Sequence, residues 1–239
     1  MSTYLQLSND LAREAGLSGA AASISAVTGQ SGQALRVVEW VQRSYIDIQN
    51  RAQHWRWLRS TFTVDTVSGT DTYAFGTCTD SRLSATITRF KRWWPYDECG
   101  APNVKRYLTS GGVSGEVWMT FLPWSNFRAI YKIGTQNNGQ PVNFTIDPQN
   151  NLVLGPKPDA IYTISGEYQM SAQILAADGD TPEVPSDYHD LIVWYALEKY
   201  GRFSAAPEAL AQAQRESSRL MRQLEANQLP SIALGGPLA

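Results

Sequence analysis

The sequence predicts an α+β fold in which an antiparallel helical bundle, formed by the two ends of the chain, carries an inserted all-β domain of sandwich or barrel-like form. An apolar stripe with helical spacing runs from Ala34 to Trp55. Between residues 61 and 174 the hydrophobic period changes to two, and Gly, Pro, Asn and Asp separate short apolar runs. After Pro185 the helical period returns. The predicted divisions are a helical bundle over 1–60 and 175–228, an inserted β-domain over 61–174, and an extended C-terminal tail over 229–239.

Two helices are predicted before the β-domain. The first covers residues 3–15 and ends at Gly16, a residue type that commonly closes helices. After a small-residue loop over 16–32, a long helix is expected over 34–58. One side of this long helix is apolar. Its residues, in steps of four and three, are Ala34, Val38, Val41, Tyr45, Ile48, Ala52 and Trp55.

The opposite side of the long helix carries charges of alternating sign at intervals of four residues, which we call the charge ladder. Its members are Glu39, Arg43, Asp47 and Arg51. Neighbouring members attract each other along a helix surface by only about 0.2–0.5 kcal/mol per pair. The ladder is therefore either the solvated face of an ordinary core helix or a wall element in a larger assembly.

The central part of the chain contains short stretches typical of β-strands. They occur at 61–67, 72–75, 85–93, 103–108, 116–122, 127–133, 142–146, 152–154 and 161–170. Many short strands at this spacing predict an antiparallel sandwich or barrel. Two further helices follow, over 186–200 and from Pro207 to about residue 227, separated by Gly201. The last segment carries Pro230 and Pro237 and cannot continue the helix.

Composition limits the kinds of partner. The 239 residues include 20 Lys and Arg against 22 Asp and Glu, a net charge of −2, whereas a large phosphate-binding surface needs concentrated positive charge. The N-terminus has no basic segment followed by an apolar one, which argues against a secretory signal. No apolar run approaches the ~18 residues of a membrane span, so we expect no membrane association. Cys78 and Cys99 are expected to be free thiols in a protein made in the cytoplasm.

Few residues suggest catalysis or metal binding. The histidines are His54 and His189. Asp187 and Asp190 flank His189, but these residues do not share one helical face, so a polar first turn of a helix is favoured over a metal site. The sequence contains no P-loop, nucleophile elbow, zinc-protease or dinucleotide-binding motif. These residues therefore predict no catalytic site, no cofactor and no metal.

One local concentration of positive charge is interleaved with aromatic residues, and we call it the aromatic–basic patch. Its members are Arg89, Lys91, Arg92, Trp93 and Trp94. Such a pattern can bind single-stranded nucleic acid through phosphate contacts and stacking, or bind sugars on the tryptophan faces. In a strand, alternate residues face opposite sides, so the pattern also fits core aromatics with charges at a rim. Trp118, elsewhere in the β-domain, is better explained as core or interface.

Two sets of residues carry a family resemblance. The first comprises the loop 28–32, Val38-Glu39-Trp40-Val41 and Trp55-Arg56-Trp57-Leu58. The second comprises Leu154-Gly155-Pro156-Lys157-Pro158, Gly166-Glu167-Tyr168, and Pro182-Glu183-Val184-Pro185 leading into Tyr188-His189-Asp190. As an ordered pattern over roughly residues 3–228, they resemble the head–tail adaptor (connector) proteins of tailed bacteriophages.

The resemblance implies a non-enzymatic virion protein that forms an oligomeric ring, commonly of twelve copies, at the head–tail interface after synthesis in the host cytoplasm. Its implied partners are other copies of the chain, the portal protein, and a downstream tail protein such as a nozzle, stopper or tail tube. DNA is expected to pass through the ring channel without sequence-specific binding. The alternative is a carbohydrate- or host-surface-binding β-sandwich module of a phage tail, but such a module does not need helices at both ends of the chain.

The resemblance also assigns residues to surfaces. The C-terminal segment of such proteins typically docks on the portal, which here implies Leu229, Pro230, Ile232, Leu234, Pro237 and Leu238. In a ring, the charge ladder of Glu39, Arg43, Asp47 and Arg51 becomes the candidate contact with a neighbouring subunit or with the channel. The aromatic–basic patch is the candidate surface for a further partner.

Overall fold

A computed structural model describes residues 1–229 of the chain. These residues form two compact units, the helical unit (Met1–Leu58 and the chain from Ala172 onward) and the β-unit (Arg59–Ser171). The helices are α1 (Tyr4–Glu14), α2 (Gly32–Arg51), α3 (Trp124–Tyr131), α4 (His189–Phe203) and α5 (Pro207–Gln228). The strands are β1 (Arg59–Asp65), β2 (Thr72–Tyr73), β3 (Thr79–Asp80), β4 (Ala85–Thr86), β5 (Arg92–Trp94), β6 (Lys105–Leu108), β7 (Val117–Trp118), β8 (Thr120–Phe121), β9 (Asn143–Ile146), β10 (Leu152–Gly155) and β11 (Tyr162–Gln169). The chain is α+β, as predicted.

Helix α4 lies at the centre of the helical unit and contacts α1, α2 and α5. The consecutive residues Leu191, Ile192 and Val193 are each less than 5% exposed, and burial on all sides is the pattern of a helix enclosed by others. Gly201 permits the close approach of α5, because a Cβ atom at this position would lie 3.1 Å from the Cβ of Leu210. The helical core is therefore built around α4, and α2 forms one of its walls.

Helix α2 is shorter than the sequence predicted. It ends at Arg51, and Ala52 takes extended backbone angles (φ −125°, ψ 153°). The members of the predicted apolar stripe from Ala34 to Ile48 are all buried. Trp55 is also buried, although it lies beyond the helix, and its indole Nε1 donates to the Ile48 carbonyl at 3.2 Å. The stripe therefore describes a helix and the segment that folds back against its end.

The β-unit contains two sheets. The larger has the strand order β4-β3-β1-β11-β6-β7, with β5 also paired to β11, and all of its pairs are antiparallel. Strand β11 is central, because it pairs with β1 along one edge and with β6 and then β5 along the other. The smaller sheet has the order β2-β10-β9-β8, with β8 and β9 parallel. In this fully described unit the sheets do not close into a barrel.

Some details of the predicted all-β domain are wrong. Most of residues 127–133, predicted as a strand, belong to helix α3, where Trp124, Phe127 and Tyr131 form an aromatic stripe of helical spacing. The predicted strand over 116–122 is divided into β7 and β8, which belong to different sheets. The predicted strand over 85–93 is similarly divided between β4 and β5. The inserted region is therefore a β-rich unit that contains an α-helix.

Candidate interaction surfaces

The charge ladder lies on the surface of the helical unit rather than in its core. The side chains of Glu39 and Arg43 are 43% and 64% exposed and form an ion pair of 3.1 Å within α2. Asp47 and Arg51 are 54% and 52% exposed. An exposed ion pair contributes only about 0–1 kcal/mol to stability. Stability alone therefore does not explain the ladder, and its role as a contact surface stays a prediction.

Two members of the ladder join α2 to neighbouring helices. Lys199 Nζ on α4 lies 2.6 Å from Asp47 Oδ2. Arg51 Nε donates to Glu225 Oε1 on α5 at 3.0 Å, and Arg51 also donates to the Tyr195 hydroxyl at 3.0 Å. Because every charge of the ladder has a partner of opposite sign, this face is close to electrically neutral. Another protein can cover a neutral face with less loss of solvation energy than a row of unpaired charges.

A partly exposed aromatic cluster lies beside the ladder, and the sequence interpretation missed it. The Trp40 ring on α2 lies 6.1 Å from the Tyr200 ring and 5.6 Å from the Phe203 ring on α4. The Arg36 guanidinium lies 4.3 Å from the centre of the Phe203 ring, and Phe203 is 56% exposed. Aromatic residues and arginine are enriched at protein–protein contacts. The cluster therefore has the composition of an interface anchor.

The aromatic cluster and the ladder form one continuous surface, which we call the α2–α4 surface. Arg36, Trp40, Arg43 and Asp47 follow one another in steps of four and three and so share one side of α2. A signal for this surface was present in the sequence, because Trp40 is a large apolar residue that lies off the buried stripe. Its neighbour Phe203 could not be found in this way, since the contact depends on how α2 and α4 pack.

The aromatic–basic patch is not an open stacking surface at Trp93. This residue is 3% exposed, its Nε1 donates to the Asn150 carbonyl at 2.8 Å, and its ring lies 4.6 Å from the Phe62 ring. The Arg89 side chain makes contacts within the β-unit, because it donates two hydrogen bonds to the Ser171 carbonyl, at 3.1 and 2.7 Å. Trp93 is therefore a core residue of the β-unit.

Trp94 is also covered. It is 7% exposed, and its indole Nε1 donates to Gln169 Oε1 at 3.3 Å. The guanidinium groups of Arg59 and Arg92 lie 4.7 and 4.8 Å from the centre of its ring and so occupy the space that a base or a sugar would need. The interpretation as core aromatics with charges at a rim therefore accounts for both tryptophans. The binding role of the aromatic–basic patch stays a prediction.

His189 has a structural position at the start of α4. Its Nδ1 accepts a hydrogen bond from the Ser2 backbone N–H at 3.1 Å, and its Nε2 lies 3.2 Å from the Val184 carbonyl, to which the neutral ring can donate. Burial lowers the pKa of the His189 imidazole. Asp187 and Asp190 are exposed, and within residues 1–229 no three His, Cys, Asp or Glu side chains converge as a metal site. The ring fastens the N-terminus to the helical unit.

A comparison with known protein families shows which kind of protein presents these surfaces. A family model described as SU10 adaptor protein matches residues 2–236, nearly the whole chain. The chain belongs to the SU10 adaptor protein family. No curated protein matches it. The family match confirms the resemblance to phage head–tail adaptors and identifies a phage adaptor structural protein.

The functional sites of an SU10 adaptor protein are contact surfaces, because an adaptor acts by joining other structural proteins. Of the residues assigned to portal docking, Leu229 is the last one described and follows α5 directly. The others lie outside the described residues: Pro230, Ile232, Leu234, Pro237 and Leu238. Among the described helices, none combines the length and apolar character needed to cross a membrane.

Proposed function

We propose that this SU10 adaptor family protein forms an oligomeric ring between the portal and the tail of a phage particle. The family match over residues 2–236 is the observation that carries the proposal. The ring, expected to contain twelve copies, provides a channel for DNA and a surface to which a nozzle, stopper or tail-tube protein attaches. The protein acts as a structural part of the virion and needs no cofactor.

The α2–α4 surface supports a contact between neighbouring subunits. A ring is closed by heterologous contacts, in which one surface of a copy meets a different surface of the next copy. Trp40 and Phe203 expose part of their apolar surface, and burial of this surface in a subunit contact is favourable. A neighbouring subunit can cover the paired charges of the ladder without burying a charge that lacks a partner. We therefore assign this surface to subunit contact in preference to the channel wall.

The charge of the chain supports a channel in which DNA moves freely. Tight binding of duplex DNA depends on many Lys and Arg side chains that displace counterions from the phosphates. A chain with a net charge of −2 offers no such excess. In the proposed ring, DNA therefore passes without sequence-specific binding.

The segment after α5 is assigned to the portal. Residues 229–239 contain no charged side chain and include Ile232, Leu234 and Leu238. A short apolar segment can bind a groove of another protein and become ordered in the same step. This assignment makes the C-terminus the part of the adaptor that faces the head.

Phage particles made without this protein test the proposal. We expect heads that lack tails, and addition of the purified full-length protein to these heads should restore tail joining and infectivity. Cryo-electron microscopy of the restored particles should show the protein as a ring directly beneath the portal. Normal tails on particles that lack the protein would overturn the proposal.

A further inference from the structure

One face of the larger sheet in the β-unit carries a groove. The strand register places Thr63 opposite Ser165, Ser165 opposite Lys105, and Lys105 opposite Trp118. Residues paired across neighbouring strands point to the same face, so these four side chains form one row across β1, β11, β6 and β7. The row lines a groove of about 380 Å³.

Trp118 is the exposed aromatic residue of this groove. It is 57% exposed, which excludes the core interpretation of this tryptophan. Lys105 Nζ lies 5.8 Å from the centre of the indole ring and also pairs with Glu116 at 2.8 Å. Val117, the preceding residue in β7, points to the opposite face of the sheet. Phe62 also lines the groove but is buried, so Trp118 is the one exposed aromatic ring among hydroxyl, amide and charged groups.

Asn103 places an unused hydrogen-bond donor at the groove. Asn103 is one of the residues that line the groove, and its buried Nδ2 has no hydrogen-bond partner in the fully described β-unit. Asn103 lies where β11 changes from pairing with β6 to pairing with β5, and its carbonyl oxygen would be 3.0 Å from a Cβ on Gly166. A buried amide donor without an acceptor is unfavourable, and a rotation of the Asn103 side chain toward the groove would let this donor reach an oxygen of a ligand there.

We propose that this groove binds a neutral oligosaccharide. The Trp118 ring stacks on the C–H face of a sugar ring, and Asn103 Nδ2 donates to a sugar oxygen. The hydroxyls of Thr63 and Ser165 exchange hydrogen bonds with sugar hydroxyls, and the Glu167 carboxylate, which Arg59 holds in an ion pair, accepts from them. A concave surface with an aromatic wall and a few convergent polar groups is the usual form of a small-ligand site. The proposal does not depend on whether the protein forms an oligomeric ring.

The lining of the groove distinguishes an oligosaccharide from other polymers. The centres of protein–protein contacts are rich in clustered apolar and aromatic residues, whereas this groove has one exposed ring among hydroxyl groups. Single-stranded nucleic acid requires a surplus of positive charge, but Lys105 and Glu167 carry opposite charges within the same groove. A neutral ligand with many hydroxyl groups matches this lining best.

Isothermal titration calorimetry of the full-length protein with chitotetraose and with maltotetraose tests the proposal. We expect at least one of these neutral oligosaccharides to bind with a Kd of about 0.1–10 mM. Trp118→Ala should weaken this binding at least ~10-fold, and Asn103→Ala at least ~3-fold. Val117→Ala is the matched control, because Val117 is 51% exposed on the same strand but faces away from the groove, and it should bind like the wild type.

Circular dichroism and thermal unfolding of each variant establish that it is folded before its affinity is compared. The absence of heat with both oligosaccharides at about 10 mM would overturn the proposal. Equal binding by the Trp118→Ala protein would overturn it as well. If neither oligosaccharide binds and Trp118→Ala particles fail to join tails, the groove is a protein contact and the oligosaccharide site does not exist.

Discussion

The smallest scale at which the fold can be tested is that of a single buried carboxylate, Asp80 on β3. It is 1% exposed and accepts hydrogen bonds from Ser60 Oγ at 2.8 Å, Tyr168 OH at 2.7 Å and the Arg82 backbone N–H at 2.8 Å. Burial alone raises the pKa of a carboxyl group, but these hydrogen bonds outweigh it, and the pKa of Asp80 is lowered. The anion therefore fastens β3 to β1 and β11 from within the core.

Asp80→Asn should lower the stability of the β-unit. The amide places N–H groups where the carboxylate accepts hydrogen bonds, so we expect the free energy of unfolding at about pH 7 to fall by about 1–3 kcal/mol in urea denaturation. The pKa of an unfolded Asp is about 3.9. Because the folded pKa lies lower, the contribution of the carboxylate is fully present above about pH 4 and is lost as the pH falls through the folded pKa. The difference between wild type and variant should therefore shrink in acid.

The control for this prediction is Asp65→Asn, an exposed position on β1. Its carboxylate accepts a hydrogen bond from Thr163 Oγ1 at 2.7 Å, and an asparagine oxygen can accept the same bond. This variant should unfold like the wild type within about 0.5 kcal/mol. If the effect of Asp80→Asn were the same at about pH 3 as at about pH 7, titration of Asp80 would not be the source of the stability.

At the scale of an element, Gly166 controls how β11 fits into the larger sheet. A Cβ atom at this position would lie 2.9 Å from Phe62 Cε1 and 3.0 Å from both the Asn103 carbonyl oxygen and Val104 Cγ2. Phe62 and Val104 are buried, and the Asn103 atom belongs to the backbone. Packed cores and backbone do not shift easily to admit another methyl group.

Gly166→Ala should therefore lower the free energy of unfolding by about 1–3 kcal/mol, measured by urea denaturation. Gly115→Ala is the matched control in the same unit, because no neighbouring atom lies within 4 Å of a Cβ there. We expect the control to change the free energy by less than about 0.5 kcal/mol. Equal stability of the two variants would mean that the centre of the sheet is less tightly packed than the distances indicate.

The α2–α4 surface can be tested separately from folding. Phe203 is 56% exposed, so Phe203→Ser should change the free energy of unfolding by less than about 1.5 kcal/mol. If the surface joins subunits, the same change should strongly reduce the number of rings seen by electron microscopy on purified portal. Ile174→Ser is the control, because Ile174 belongs to the same unit and is 64% exposed. Equal ring formation by both variants would contradict the assignment.

Long elements were predictable from the sequence because their spacing determines which side is buried. The stripe of α2 and the strands β1 and β11 follow from this rule. The two-residue strands β7 and β8 could not be predicted as separate strands. They are distinguished only by their partners, because β7 pairs with β6 and β8 pairs with β9. Nor does local sequence decide that both faces of β5 are covered, which is why the burial of both Trp93 and Trp94 could not be predicted.

At the scale of the whole molecule, folding and portal docking are assigned to different parts of the chain. Every described helix and strand ends by Gln228, so removal of residues 229–239 should leave both units folded. We expect the truncated protein to keep the thermal unfolding midpoint of the full chain. It should nevertheless fail to co-sediment with purified portal, because the apolar segment assigned to docking is missing.

A full-length variant distinguishes the effect of losing the apolar side chains of this segment from the effect of shortening the chain. Serine at positions 232, 234 and 238, in place of Ile232, Leu234 and Leu238, removes the apolar side chains and keeps the backbone. If burial of these side chains drives docking, this protein should fail to bind portal in the same assay, since each buried aliphatic side chain contributes about 1.5–3 kcal/mol. Normal tail joining by the truncated protein would refute portal docking through this segment. The family membership, which rests on the match over residues 2–236, and the proposed ring would both still stand.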